Sequence, residues 1–275
     1  MRVEELMTKD PIVAEVPGHR NDVLKLLVQH SVSGVPVVKS KTRKLMGVVT
    51  RSDIFRRPDE EQIALLMTQG PVTISPKDEV SKAARIFHEK RIHGLPVVVA
   101  DELVGVLSPS DVLKVIAESS TKRPVEEFVT EKACPVWTDT PLRVVWEIMR
   151  VARQNAVPIL DDKGALVGIV ADSDLFKKSQ VEDLVKKGKL GLDEENWDGF
   201  RTVMPLYLAN SKIEIPSAPV KDVMVRDIQT VFLRTSVSEA AKKMRRYKIN
   251  QLPIVDTEDR LVGIITDLDL MRAEA

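Results

Sequence analysis

Apolar and polar positions follow one order four times along the chain. A short apolar or β-branched run comes first, at residues 11–16, 72–75, 135–138 and 230–233. Runs of that kind between turn-forming residues predict short strands. A segment of helical period follows, as in Val23, Leu26 and Leu27, or Val80, Ala83, Ala84 and Phe87. Apolar residues three and four apart share one helix face. Asn21 or Asp22, Asp78, Thr140 and Ser236 stand where helix caps belong. Two further apolar runs, such as 35–38 and 45–49, read as a hairpin. Its turn chemistry is plainest at Asp161-Asp162-Lys163-Gly164 and at residues 256–260. A last Asp is expected to begin a short amphipathic helix, at Asp53, Asp111, Asp174 and Asp269.

The four copies keep one register. Each opens with a related pentad, EELMT, ALLMT, EEFVT or KDVMV, and reaches an apolar-Pro-apolar element 29 residues later: Met7 to Pro36, Met67 to Pro96, Val129 to Pro158, Met224 to Pro253. Each closes on GVVTRSD, GVLSPSD, GIVADSD or GIITDLD. A fixed period of this size marks an internal repeat. The expected units are residues 3–55, 63–116, 125–178 and 220–273. A unit of about 54 residues is small for an independent core, and its sheet leaves a face to cover, so pairing of units is expected. Residues 179–219 stand apart as an insertion, with helix-like pieces at 181–187 and 197–208, expected to lie on the second half.

Composition narrows the reading. The chain has 275 residues, with 41 Lys and Arg against 41 Asp and Glu. Neutrality excludes bulk nucleic-acid binding, which needs a strongly basic footprint. One cysteine, Cys134, excludes an intramolecular disulfide and a cysteine-rich zinc site. The opening MRVEELMTKD has no apolar run, so no signal peptide is expected. No stretch approaches the ~20 apolar residues of a membrane helix. The expectation is a cytoplasmic, folded protein.

The repeated unit resembles the CBS motif, named after cystathionine beta-synthase. Two such motifs make a Bateman module. Four in one chain, covering nearly everything outside residues 179–219, are similar to archaeal four-CBS proteins and to the nucleotide-sensing gamma subunit of AMP-activated protein kinase. The resemblance implies an α/β fold of four CBS repeats (β-α-β-β-α), paired by pseudo-twofold symmetry into two Bateman modules that form a flat disc. It also implies AMP, ADP or ATP, or another adenosyl ligand such as S-adenosylmethionine, in clefts between paired repeats.

The closing motif has its own rationale. A strand ends at a small hydroxyl residue and a helix follows, whose first N–H groups lack partners and attract anions. A carboxylate there can cap the helix or accept both hydroxyls of a ribose. In the family a Thr/Ser-x-x-Asp element takes the ribose, which carries over to Thr50 with Asp53, Ser108 with Asp111, and Thr266 with Asp269. Asp174 has Ala171 in place of the hydroxyl. The competing reading of every such Asp is a plain helix cap.

The gamma subunit commonly carries a His or Arg just before the apolar-Pro element, and only His93 matches, with Lys90 and Arg91 beside it. Arg51 lies inside the first closing motif, where the third and fourth carry Asp172 and Asp267. Residues 1–124 hold 19 basic and 16 acidic side chains, residues 125–275 hold 22 and 25. On this evidence the first module suits an anionic nucleotide better than the second.

Other chemistry is thin. No Walker, Rossmann, HExxH or GxSxG motif occurs. The four histidines have poor metal spacing, and Cys134 reads as a buried structural thiol at a strand start. The basic run 242–246 reads as a solvated or partner-facing helix face rather than a nucleic-acid patch. The expectation is a non-enzymatic regulatory protein that binds adenine nucleotide and modulates a protein partner, a kinase or a metabolic enzyme, with a homodimer through exposed helix faces as one assembly. A sensor of S-adenosylmethionine or methylthioadenosine and a ligand-free scaffold stay open beside it.

Overall fold

The structure, a computed structural model, describes residues 1–130, 132–178 and 217–275. The helices expected at 181–187 and 197–208 lie outside the described residues.

Repeat one runs β1 (Thr8–Lys9), β2 (Ala14–Val16), α1 (Arg20–Gln29), β3 (Gly34–Lys39), β4 (Leu45–Thr50) and α2 (Arg51–Arg56). Repeat two runs α3 (Ile63–Leu66), β5 (Thr68–Gln69), α4 (Val80–Lys90), β6 (Leu95–Val99), β7 (Glu102–Leu107) and α5 (Pro109–Glu118). Repeat three contributes β8 (Val136–Trp137), α6 (Leu142–Ala152), β9 (Ala156–Leu160), β10 (Leu166–Ala171) and α7 (Asp172–Lys178). Repeat four contributes β11 (Val231–Phe232), α8 (Val237–Tyr247), β12 (Gln251–Val255), β13 (Leu261–Thr266) and α9 (Asp267–Leu270).

In each repeat the apolar-Pro strand is central. It pairs antiparallel with the strand that follows, as in Pro36 opposite Val48 and Pro253 opposite Ile264. It pairs parallel with the short first strand, as in Ala14 opposite Val37 and Val136 opposite Ile159. The crossover helix between the parallel strands makes each unit a small βαβ with a hairpin appended. Helix periodicity translates into burial: Val80, Ala83, Ala84 and Phe87 are all at most 1% exposed.

Boundaries differ from expectation in instructive ways. The first strand of repeat two shrinks to a single parallel bridge, Ile74 with Val97, because Pro71 and Pro76 flank it and donate no ladder bond. Ser236 is the N-cap of α8, but α1, α4 and α6 are capped at His19, Glu79 and Pro141, one or more residues from the expected positions. The closing Asp does not begin its helix. In repeats one, two and four the hydroxyl residue is the N-cap and Asp is the third helical residue. Cys134 is part-exposed and precedes β8, so it is neither buried nor in a strand.

Units pair by exchanging their opening segments. Val3 and Glu4 donate to the carbonyls of Asp78 and Pro76, and Thr8 pairs with Val106 of β7. Reciprocally, Thr68 pairs with Val48 of β4. Repeats three and four do the same: Val125 donates to Thr235, Val237 to Arg123, Leu142 to Ala218, and Val220 to Thr140. The glycine of the closing motif makes this exchange possible. A Cβ on Gly47 would lie 2.6 Å from the Thr68 carbonyl and 2.9 Å from Met67 Sδ, and one on Gly105 would lie 2.7 Å from Met7 Sδ. The opening Met of one repeat therefore sits on the closing Gly of its partner, as Met224 also does on Gly168. The fourth equivalent pair is looser, because Val129 replaces Met and the nearest atom to a Cβ on Gly263 is Ile254 Cδ1 at 3.5 Å.

The two pairs join by different contacts. Repeats two and four share one core, in which Val112, Leu113, Ile116 and Ala117 of α5 are buried together with Ala240, Ala241 and Met244 of α8. Repeats one and three meet where Phe55 of α2 lies against Trp146 of α6, ring centroids 4.9 Å apart. The four repeats thus close a ring, one–two–four–three.

Candidate functional site: the closing carboxylates and the central junction

The closing motifs of repeats one, two and four fold into reciprocal capping boxes. In repeat one the Thr50 amide and hydroxyl donate to Asp53 Oδ2 at 2.9 and 2.6 Å, and the Asp53 amide donates back to Thr50 Oγ1 at 3.3 Å. In repeat two Ser108 gives the same pair to Asp111 Oδ2 at 3.0 and 2.7 Å. In repeat four Thr266 gives them to Asp269 Oδ2 at 2.9 and 2.7 Å. Asp174 receives the Ala171 amide at 2.9 Å, and alanine has no hydroxyl to complete the box. The cap role of these carboxylates is therefore real, and it uses one oxygen. In Asp53, Asp111 and Asp269 Oδ1 takes no part in the box.

The second oxygens meet different surroundings. Asp111 Oδ1 receives Lys114 Nζ of its own helix at 2.8 Å. Asp269 Oδ1 receives Arg91 Nη1 at 3.1 Å and Thr130 Oγ1 at 2.5 Å, from repeats two and three. Asp269 is wholly buried.

His93 reaches the middle of the ring. Its Nε2 is 3.5 Å from Asp267 Oδ1 of repeat four and 3.4 Å from Asn155 Nδ2 of repeat three. Burial opposes the charged ring, but the hydrogen bond and charge of Asp267, with the field of Asp172, outweigh it and the His93 pKa is raised. Burial also pushes Asp172 above the usual carboxylate range, against the pull of Arg51 and His93. The basic residues His93 and Arg51 and the acids Asp172 and Asp267, divided between the two halves of the sequence, thus share one junction. The contrast expected between a cationic first module and an anionic second one is largely neutralised where it was to matter.

The position of Asp172 and Asp267 follows from backbone pairing. Their amides donate to the carbonyls of Asn155 and Asn250, as the Arg51 amide does to Ser33. This bond fixes the first helical residue beside the start of the apolar-Pro strand. Pro109 occupies the position in repeat two and has no such donor. Arg91 ends α4 in a left-handed backbone conformation, φ 52°. Sequence reasoning placed Arg91 only as a neighbour of His93 and missed Thr130 altogether. Nothing local marks either, because both act across repeats.

Among the described residues no helix is long and apolar enough to cross a membrane. Nor does any cluster of three or more His, Cys, Asp or Glu among them have the form of a metal site.

A ring of four β-α-β-β-α units, paired by exchanged opening segments and closed by capping-box carboxylates, defines a class of tandem paired-repeat α/β proteins. The chain belongs to the CBS domain family, whose model matches residues 3–60, 61–118, 125–180 and 220–275. It is 30% identical to protein MJ0188 of Methanocaldococcus jannaschii, over 94% of this chain and 93% of the relative. It is 28% identical to protein MJ1404 of the same organism over 77% of this chain, but spans only 43% of that longer protein. Among solved structures, MJ1225 from M. jannaschii, described as a candidate archaeal homologue of g-AMPK, covers both chains fully with a TM-score of 0.82 at 20% identity. That likeness concerns the fold.

Proposed function

We propose that this CBS-domain chain is a regulatory, non-catalytic protein that binds an adenine nucleotide, AMP, ADP or ATP, in clefts between paired repeats, and modulates a protein partner through the arrangement of its modules. The observation that carries the reading is the threefold recurrence of one device: Thr50 with Asp53, Ser108 with Asp111, and Thr266 with Asp269 hold a carboxylate by one oxygen and leave the other outside the box. A vicinal diol of ribose matches that oxygen, and hydrogen bonds to a charged group contribute about 1.5–3 kcal/mol each. Core stability alone does not call for an Asp at this register three times. Arg51 and His93 are the cations proposed for phosphate, and Asp174 is the weakest of the four carboxylate sites because Ala171 gives it no hydroxyl. The proposed units are repeats 3–55, 63–116, 125–178 and 220–273 with the insertion 179–219, and the proposed location is the cytoplasm.

A second reading, S-adenosylmethionine or methylthioadenosine, uses the same ribose carboxylates. The acids Asp172 and Asp267 beside the third and fourth motifs favour it there. Calorimetric titration of the whole chain with AMP, with ATP and S-adenosylmethionine as competitors, separates the readings. Loss of one carboxylate hydrogen bond predicts an AMP affinity for Asp53→Ala and Asp111→Ala proteins lower by roughly tenfold or more. Full affinity in both variants would overturn the ribose assignment, and absence of any nucleotide binding would leave the empty scaffold.

A further inference from the structure

The carboxylates of Asp53, Asp111 and Asp269 differ in how much of their hydrogen-bonding capacity is already spent. A carboxylate offers about four lone-pair positions. Asp53 uses Oδ2 in its capping box. Asp111 adds one bond at Oδ1, from a Lys114 that is 46% exposed and three residues along the same helix. Such a pair is weak and swings into solvent easily. Asp269 is full: two bonds at Oδ2 from Thr266, and two at Oδ1 from Arg91 and Thr130. It is 0% exposed, and both Oδ1 partners come from other repeats. A ribose can reach this oxygen only by displacing a guanidinium from a buried carboxylate, which is costly unless the guanidinium finds another partner.

We propose that Arg91 and Thr130 are the residues that decide which clefts take ligand. They occupy the repeat-four carboxylate in trans, so nucleotide enters the repeat-one and repeat-two clefts and reaches Asp269 only when repeats two and four shift apart. The inference rests on the nucleotide reading above. It makes the repeat-four cleft the coupled one. By linkage, ligand bound at Asp269 loosens the Arg91 contact, and a loosened contact strengthens ligand binding by the same factor.

The test is an AMP titration of the full chain carrying Asp53→Ala and Asp111→Ala, which isolates the remaining clefts. Adding Arg91→Met to this background is expected to raise the residual affinity at least ~5-fold. Adding Thr130→Val alone, a near-isosteric change that removes one bond, is expected to raise it by a smaller factor. Both gains are expected to disappear when Asp269→Asn is added. Unchanged or weaker binding in both the Arg91→Met and Thr130→Val proteins overturns the inference, since Arg91 would then be neutral or a ligand contact itself. A gain that survives Asp269→Asn overturns it too, because the site freed would be elsewhere. If the unsubstituted chain binds no adenine nucleotide, the functional reading falls and this inference falls with it.

Discussion

At the scale of single residues, His93 has two competing partners. With Nε2 unprotonated it can accept from Asn155 of repeat three; with Nε2 protonated and the ring charged it donates to Asp267 of repeat four. The groups facing it are Asp267, Asp172, Asn155 and Arg91, and their net effect is a raised pKa. A raised pKa in the folded chain means that the fold binds this proton more tightly than the unfolded chain does. The contribution is complete below the ordinary histidine value of 6.5 and is lost as pH rises through the raised value. The melting temperature is therefore expected to fall as pH rises above about 6.5, with His93→Gln flattening the change. A melting temperature that climbs over that range in the unsubstituted chain contradicts the assignment. The same residues mark the limit of local reasoning. Asp53, Asp111 and Asp269 stand out by register alone, but whether each is a cap, a ribose contact or a latch point depends on what meets Oδ1, and for Asp269 that is Arg91, 178 residues away.

At the scale of elements, the exchanged opening segment explains two sequence features at once. The Met of the opening pentad and the Gly of the closing motif belong to one contact made between different repeats. Gly47→Ala places a Cβ 2.6 Å from the Thr68 carbonyl, which β5 cannot yield without breaking its pairing with β4. A loss of roughly 1–3 kcal/mol in denaturant unfolding is expected, the usual cost of overpacking. Gly263→Ala meets only a flexible Ile254 methyl at 3.5 Å and serves as the contrast, with a loss below about 1 kcal/mol. Equal losses at the two glycines refute the contact as its cause. Helix and strand order were legible from periodicity, because burial of Phe87 or Val37 needs no knowledge of the partner. The helix starts were not, because His19, Glu79 and Pro141 take the cap position through contacts that the opening segments impose: Val80 donates to Met1, and Arg20 to Glu61.

At the scale of the whole molecule, the ring is held unevenly. The core shared by α5 and α8 includes the small residues Ala117, Ala240 and Ala241, and small residues let helices approach closely. Enlarging it by Ala240→Leu is expected to cost roughly 1–3 kcal/mol of stability, read by thermal or chemical unfolding. It is also expected to shift the Arg91–Asp269 latch, since both lie on the same side of the ring. An unfolding curve like that of the unsubstituted chain would mean that the helices do not meet as described. The repeat-one to repeat-three side, where Phe55 meets Trp146, has a smaller aromatic contact.

Four copies of a β-α-β-β-α unit, their register, their need to pair and the family they resemble are properties of the sequence. Each rests on hydrophobic period and fixed spacing, which act over a few residues and repeat. The net charge was also legible, as was its small asymmetry between halves. The tertiary structure decided which repeats share a core, which Met covers which Gly, and how the charges are spent. Arg51 and His93 were assigned to one module and Asp172 and Asp267 to the other, and the ring sets them against each other. A side chain's charge is written in the sequence, but its partner is chosen by packing between segments more than a hundred residues apart, and no local pattern encodes that choice.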